Sequence, residues 1–244
     1  MQVALTVDAE HPDNRNCSAG NPSRLVDLLH DRGAPASFFI QGRWALANPD
    51  LLTRIAGDGH LLGNHSHFHT RLPQLTAAGL RADVGDAAAA ITAITGVDTR
   101  PWFRCPFGDG GRNRRVLRRL RALGYWSIGW DVEGADWLPE RDGDQVAATI
   151  IDRLRDRERA GQRASVVLLH TWPDSTAAAL SQVIDAARAR SWPLVTVASV
   201  FGSPPDGHRC ETAPRTLDER VRRKLARLRA GHPPAIPADP GAAA

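Results

Sequence analysis

The chain has 244 residues, of which 42% are hydrophobic and 24% are charged, a balance typical of globular proteins. No run approaches the roughly 18 consecutive apolar residues that a membrane span requires, so no membrane partner is expected. The formal net charge is +4, and +3 of it falls after residue 203, where eight basic residues face five acidic ones. Because the remainder is close to neutral, no nucleic-acid partner is expected either.

Short apolar segments rich in β-branched and aromatic residues recur along the chain and predict strands. They are Val3–Asp8, Ala36–Ile40, His60–Asn64, Arg100–Arg104, Tyr125–Trp130, Ser165–His170 and Leu194–Val197. Segments with helical spacing separate them, at Pro22–Arg32, Pro49–Asp58, Ala77–Thr95, Arg114–Leu123, Asp144–Ala160 and Thr176–Arg190. This alternation indicates βαβ units and a parallel sheet. Because six or seven units follow without an early glycine-rich turn, an α/β barrel is favoured over a dinucleotide-binding open sheet.

The predicted barrel ends near residue 202, so residues 1–202 are expected to form a single domain. The sequence SPPDG at 203–207 breaks regular structure. The segment 203–244 is expected to be a basic helical tail that is disordered at its end, where proline and alanine occur without apolar periodicity. The first ten residues, MQVALTVDAE, carry neither a basic n-region nor a long apolar h-region, so a cytoplasmic location is expected.

Reactive polar residues follow several predicted strands, whose carboxyl ends meet on one face of a parallel barrel. In chain order they are Asp8, Glu10, His65, His69, Arg104, Asp136 and His170. His65 and His69 are four residues apart, a spacing that on a helix stacks both imidazoles on one face, as a divalent metal needs. Two imidazoles and a carboxylate would form a three-ligand site for one divalent ion, with zinc favoured and cobalt or nickel as alternatives.

In these motifs and their order, the chain resembles the NodB-type polysaccharide deacetylases, a family of metal-dependent carbohydrate esterases and de-N-acetylases. GHLLGNHSHFHTRL at 59–72 is similar to the family signature G-H-x-x-G-N-H-[ST]-x-x-H-x-x-L. FRCPFG at 103–108, EGADW at 133–137 and LLH at 168–170 are similar to F-R-x-P-[YF]-G, D-x-x-D-W and L-x-H. The resemblance spans about residues 2–200. It implies a distorted (β/α)7 barrel, with 1–202 as the catalytic domain.

The resemblance implies a role for each matching residue. His65 and His69 would bind the metal ion, which polarises the acetyl carbonyl and acidifies a bound water. Asp8 would be the base that takes a proton from that water. Arg104 would pair with Asp8 and keep it ionised and oriented.

The later motifs would complete the reaction. His170 would be the general acid that protonates the departing amine, and Asp136 would hold its imidazole. The backbone N–H of Phe107 would help to stabilise the oxyanion. Trp137 would form a wall of the acetyl pocket, although ordinary core packing is an alternative for this side chain.

The first motif departs from the family pattern. The family usually has two adjacent aspartates, the second of which binds metal, whereas here Ala9 follows Asp8. Glu10 lies one residue further and, on a strand, would point to the same face as Asp8. Since some relatives carry a D-x-[DE] form, Glu10 is the predicted third ligand. The alternatives are that Asp8 itself binds the metal, or that the site binds metal weakly or not at all.

The expected function is therefore that of a hydrolase acting on carbon–nitrogen bonds, which removes acetyl from an N-acetylated sugar or glycoside. One alternative is a non-acetyl amidase or imidase on the same fold that acts on a small nitrogenous substrate. Another is a non-catalytic sugar-binding relative, which the presence of an acid–base pair argues against. The sequence leaves the oligomeric state and the identity of the sugar open.

Overall fold

The computed structural model describes residues 1–14 and 17–202, so the predicted tail at 203–244 lies outside the described residues. The strands are β1 (Gln2–Ala9), β2 (Ser37–Ile40), β3 (Leu61–Asn64), β4 (Trp102–Phe103), β5 (Trp126–Ser127), β6 (Val132–Glu133), β7 (Ala164–His170) and β8 (Leu194–Val195). The helices are α1 (Asn21–Asp31), α2 (Gly42–Ala47), α3 (Pro49–Gly57), α4 (Ala77–Thr95), α5 (Arg114–Ala122), α6 (Gly143–Arg159), α7 (Ser175–Ala189) and α8 (Val197–Phe201). None of the helices in these described ranges is long and apolar enough to cross a bilayer.

The strands form one parallel, curled sheet in the order β5-β4-β3-β2-β1-β7-β6, and β8 also pairs with β1. This is the predicted α/β barrel, distorted because β5 and β6 end the path of paired strands. The register of the central strands brings Asp8 on β1 beside His170 on β7 and Phe39 on β2. The carboxyl ends of the first, second and seventh strands therefore open together on one face.

Side chains of β1 alternate between two apolar layers, as strand geometry requires. Val3, Leu5 and Val7 belong to the core shared with the outer helices. Ala4 belongs instead to the cluster inside the curled sheet, together with Phe39. Burial on both faces is what a parallel sheet covered by helices demands. The even-numbered positions of β1 therefore point to the interior, and Asp8 ends that row.

The sequence predicted the longer elements well and the short ones less well. The strand predicted at Arg100–Arg104 is reduced to β4, which starts only after Pro101, a residue with no N–H to donate to a ladder. The last predicted strand stops at Val195, and Val197 begins α8 instead. There, the backbone N–H of Val197 donates to Ser37 Oγ at 3.0 Å. Three short elements, α2, β6 and α8, were not predicted.

Candidate metal centre and active site

Glu10, His65 and His69 form a buried cluster at the carboxyl end of the sheet. Glu10 Oε2 lies 3.1 Å from His65 Nε2 and 2.5 Å from His69 Nε2. One ligand atom from each residue lies within 4.8 Å of the other two. Two imidazoles and one carboxylate are the donor set of an open zinc site, and they also suit cobalt or nickel. The residues present therefore fit a divalent ion.

His65 and His69 do not share a helical face, so the helical placement expected from their spacing is wrong. Both lie in an irregular loop after β3. Ser66 and His69 have positive φ angles of 62° and 58°, which break any regular helix. The two imidazoles nevertheless meet, with ring centroids 4.9 Å apart, because the loop turns back on itself between them.

Side chains satisfy much of the backbone of this loop, together with the main-chain carbonyl of Asp83, which accepts the N–H of His67 at 3.0 Å. Asn64 Oδ1 accepts the N–H of Ser66 at 2.8 Å, and Ser66 Oγ accepts the N–H of His69 at 3.0 Å. Between these two positions, Oδ1 of Asp83 on α4 accepts the N–H groups of residues 67 and 68, at 3.1 and 2.9 Å. These local bonds offer the chain an alternative to helix, and they set the positions of both histidines.

A backbone carbonyl on the side away from Glu10 fixes the orientation of the His65 ring. Its Nδ1 lies 2.9 Å from the carbonyl oxygen of Arg104, which requires Nδ1 to carry the proton and donate it. Nε2 is then the ring atom that faces Glu10 and the cluster, and a hydrogen bond at Nδ1 of this kind is how proteins orient an imidazole to bind metal.

Glu10 is held ionised by its neighbours. Burial alone would raise the pKa of this carboxyl, but hydrogen bonds with His11, His65 and His69 hold it well below its usual range. Glu10 is only 5% exposed, so water does little to stabilise the charge. A cation in the cluster would face a carboxylate rather than a carboxylic acid.

Asp8 is paired with a fully buried arginine. Arg104 Nη1 donates to Asp8 Oδ1 at 2.7 Å. The guanidinium also donates to the carbonyls of residues 128 and 129, and it lies 4.1 and 5.6 Å from the ring centroids of Phe39 and Trp130. Burial lowers the pKa of Arg104. Asp8 Oδ2 lies 3.6 Å from His65 Nε2, which places the Asp8 carboxylate beside the cluster.

His170 and Asp136 form a second pair at the same end of the sheet. His170 Nδ1 lies 2.9 Å from Asp136 Oδ1, and Asp136 Oδ2 accepts from the His170 N–H and from Thr176 Oγ1. Burial disfavours the imidazolium, but the charge and hydrogen bond of Asp136 outweigh it and raise the pKa of His170 to about 10. With Nδ1 bonded to Asp136, Nε2 is the atom that can pass a proton to a ligand.

The two residues predicted to contact substrate lie at different depths. Phe107 has a φ of 57°, is 52% exposed, and packs its ring 4.4 Å from that of His69. Trp137 is half-buried in the turn directly after Asp136. The predicted roles of the Phe107 N–H and of the Trp137 ring remain predictions.

Two residues beside the cluster were missed by the sequence analysis. His11 Nε2 and Trp172 Nε1 lie 3.2 and 3.3 Å from Glu10 Oε1. The sequence held a signal for each, since His11 directly follows Glu10 and Trp172 comes two residues after His170. Both residues line a cavity of about 400 Å³. Its other walls are Pro12, Asp13, Asn14, Gln41, Arg43 and Phe68.

The sequence profile described as "Polysaccharide deacetylase" matches residues 1–128. That match covers the first strand, the histidine loop and Arg104, and it extends over slightly more than half of the chain. The chain therefore belongs to the polysaccharide deacetylase family.

Individual relatives agree with this assignment. The peptidoglycan-N-acetylmuramic acid deacetylase of Bacillus subtilis is 28% identical over 166 residues, which are 68% of this chain and 60% of that protein. The chitooligosaccharide deacetylase of Azorhizobium caulinodans is 28% identical over 184 residues, covering 70% of this chain and 83% of that protein. Among solved structures, a family 4 carbohydrate esterase from Streptomyces lividans in complex with acetate has a TM-score of 0.68 and 26% identity, covering 82% of this chain and 95% of that one. The match thus spans only about 60% of the length of the Bacillus subtilis relative.

Proposed function

We propose that this chain is a hydrolase that removes acetyl groups from N-acetylated sugar residues with the help of one divalent ion. The observation that carries the proposal is the meeting of three groups at one end of the sheet. These are the Glu10–His65–His69 cluster, the Asp8–Arg104 pair and the His170–Asp136 pair. A metal site flanked by one carboxylate and one imidazole is equipped for hydrolysis of an amide.

Glu10, His65 and His69 would hold the ion, for which zinc is the best fit among the metals that two imidazoles and a carboxylate suit. When bound, such an ion supplies Lewis acidity, which polarises a carbonyl and makes water a better nucleophile. The three residues are buried. Because little water can reach the Glu10 carboxylate, a bound cation would be its main source of compensating charge.

Asp8 is the proposed general base. It lies beside the cluster but is not one of its three members, and Arg104 holds one of its oxygens at 2.7 Å. The other oxygen is then directed toward the cluster, where it can take a proton from the attacking water. The buried guanidinium keeps the Asp8 carboxylate in that position.

His170 is the proposed general acid. The charge and hydrogen bond of Asp136 raise the pKa of His170, which favours the protonated imidazole that donation to a departing amine requires. Asp136 fixes the ring through Nδ1 and through the His170 backbone. The paired register of Asp8 and His170 on adjacent strands places the base and the acid at the same end of the sheet. In this proposal the Phe107 N–H stabilises the oxyanion and Trp137 borders the acetyl group.

The proposed substrate class is an N-acetylated sugar or glycoside. Support comes from the named relatives, which are described as deacetylases of chitooligosaccharides and of peptidoglycan N-acetylmuramic acid. The cavity of about 400 Å³ that His11 and Trp172 line falls within the size range of small-molecule sites. Its walls combine the rings of Phe68 and Trp172 with polar side chains, and sugars present both apolar faces and hydroxyl groups.

The test measures acetate release from chitooligosaccharides and from peptidoglycan fragments, with bound metal determined by elemental analysis. We expect one divalent ion per chain and activity that a chelator removes and added zinc restores. Asp8→Asn should lower kcat by about 10²–10⁴-fold while zinc remains bound, because Asn keeps the shape of the side chain.

The control is Asp98→Asn, which breaks an exposed Asp–Arg pair with Arg100 and should leave kcat unchanged. Full activity in a chelator would refute the metal-dependent reaction. A normal kcat in Asp8→Asn would assign the proton transfer to another residue. Absence of acetate from every N-acetylated sugar tested would refute the proposed substrate class.

A further inference from the structure

The two oxygens of the Glu10 carboxylate have different partners. Oε2 faces the cluster, at 3.1 Å from His65 Nε2 and 2.5 Å from His69 Nε2. Oε1 faces away from it, at 3.2 Å from His11 Nε2 and 3.3 Å from Trp172 Nε1. One oxygen is thus available to a metal ion, and the other is occupied by two ring nitrogens.

The contact between Trp172 Nε1 and Glu10 Oε1 is a hydrogen bond. An indole N–H can donate a hydrogen bond but cannot bind a metal. Its approach to Oε1 is therefore a hydrogen bond whether or not an ion is present. Trp172 lies two residues beyond His170, so the same segment that carries the proposed acid also reaches Glu10.

His11 is turned toward Glu10 by an uncommon backbone conformation. Its φ of 54° lies in the left-handed region that only a few per cent of non-glycine residues occupy. The conformation is held by Gln41, whose Oε1 accepts the His11 N–H at 2.9 Å. The His11 ring packs 4.6 Å from the ring of His69 and 6.5 Å from that of Trp172. The imidazole therefore lies against the cluster, in contact with both Glu10 and His69.

We propose that Trp172 and His11 are positioning residues that hold Glu10 Oε1 and thereby present Oε2 to the metal. Glutamate has one more rotatable bond than the aspartate usual in the family's first motif, so its carboxylate needs external support to stay in one place. Partners that bind a ligating carboxylate from outside orient it and raise metal affinity. This inference rests on the metal site of the proposed function and explains how a glutamate can serve there.

The test compares zinc affinity, measured by competition with a chromophoric chelator, in the full-length protein and in Trp172→Phe. Phenylalanine keeps an aromatic ring but removes the N–H. We expect zinc to bind about 10–100-fold more weakly, the usual effect of losing such a partner. The cobalt form should also change its visible absorption, because a displaced carboxylate alters the coordination. His11→Phe should weaken zinc binding in the same direction.

The matched control is Trp192→Phe. Trp192 donates its indole N–H to Glu158 at 2.5 Å, near the carboxyl end of α6, so the same bond is removed away from the cluster. Zinc affinity should not change in this variant. In a Glu10→Gln background, Trp172→Phe should have little further effect on zinc affinity, because Trp172 acts through the lost carboxylate. Thermal unfolding of the metal-free forms monitors folding.

The outcomes separate this inference from the proposed function. If wild-type protein binds zinc and Trp172→Phe binds it equally tightly, the positioning role is wrong while the metal site stands. An equal loss of affinity in Trp192→Phe would also overturn it, since the effect would then be one of general stability. If wild-type protein binds no divalent ion, the metal site itself is wrong and the positioning role falls with it.

Discussion

Glu10 can reach His65 and His69 because β1 ends at Ala9. Ala9 is the last residue of the strand, and its side chain is fully buried in the apolar core shared with the outer helices. A carboxylate at position 9 would therefore point into apolar side chains, where an unpaired charge is costly. Alternation along the strand puts Asp8 and Glu10 on the other face, toward His65. In the pattern D-x-E formed by residues 8–10, the two acidic side chains therefore face His65 and the residue between them faces the apolar core.

The first prediction concerns the titration of His170. In metal-free protein its imidazole should titrate near pH 10, compared with an ordinary value of about 6.5. Asp136→Asn should lower the pKa of His170 well below that of the wild type, because burial then acts without the charge that opposes it most strongly. The nearby carboxylates of Asp8 and Glu10 would raise it only in part. An NMR titration of the imidazole nitrogens measures both values.

The same shift has a consequence for stability. Because the pKa is raised in the folded state, the stabilisation from protonated His170 is fully present below about pH 6.5 and is lost as the pH rises through about 10. Urea unfolding at pH 6 and pH 9.5 should show a smaller pH dependence in Asp136→Asn than in wild type. The control is Asp58→Asn, which removes the partner of the more exposed His30 and should leave His170 unchanged. A wild-type His170 that titrates near 6.5 would contradict the prediction.

Among the elements, those with long periodic sequences were predictable and those set by side-chain contacts were not. The predicted helix at Ala77–Thr95 has the observed bounds of α4, since its N-cap Thr76 and C-cap Gly96 are visible in the sequence. α2 has only six residues, too few for an apolar period to be recognised. The loop that carries His65 and His69 was taken for a helix because spacing alone cannot show that Asp83 binds its backbone.

The same limit applied to the candidate site. Motif positions brought Asp8, Arg104 and His65 into the analysis, and the structure places all three together. The contacts of His11 and Trp172 with Glu10 depend on one positive φ angle and on the path of the chain after β7. Neither feature has a periodic signature in the sequence, so both required the structure.

The second prediction concerns the link between α4 and the histidine loop. Asp83→Ala removes the side-chain acceptor of two partly buried N–H groups. One of them, the N–H of His67, also donates to the backbone carbonyl of residue 83, so one bond to a charged acceptor is lost outright, and such bonds contribute about 1.5–3 kcal/mol. We expect a loss of about 1.5–3 kcal/mol in the free energy of unfolding, measured in urea, together with weaker zinc binding because His69 is less well placed. Asp86→Ala, which alters an exposed residue of the same helix, is the control. Unchanged stability and zinc affinity in Asp83→Ala would show that the loop holds its shape by itself.

For the molecule as a whole, the site depends on distant parts of the chain that meet at one end of the sheet. Asp8 lies on the first strand and His170 on the seventh, and these strands are hydrogen-bonded neighbours. The last described helix, α8, also contributes to this fold. Its Val197 and Phe201 pack into the interior cluster that contains Ala4 and Trp102. Among the described residues, the fold therefore uses the chain as far as Phe201.

The third prediction follows from that boundary. A chain that ends at Gly202 should unfold cooperatively at the temperature of the full-length protein and bind zinc with the same affinity. The reason is that every described contact of the site falls between residues 8 and 176. A chain that ends at Thr196 is the matched comparison and should lose several degrees in melting temperature, because Val197 and Phe201 no longer cover the interior cluster. Calorimetry and the chelator competition assay measure both quantities. If the chain ending at Gly202 folds but binds zinc more weakly than the full-length protein, then residues 203–244 contribute to the metal site.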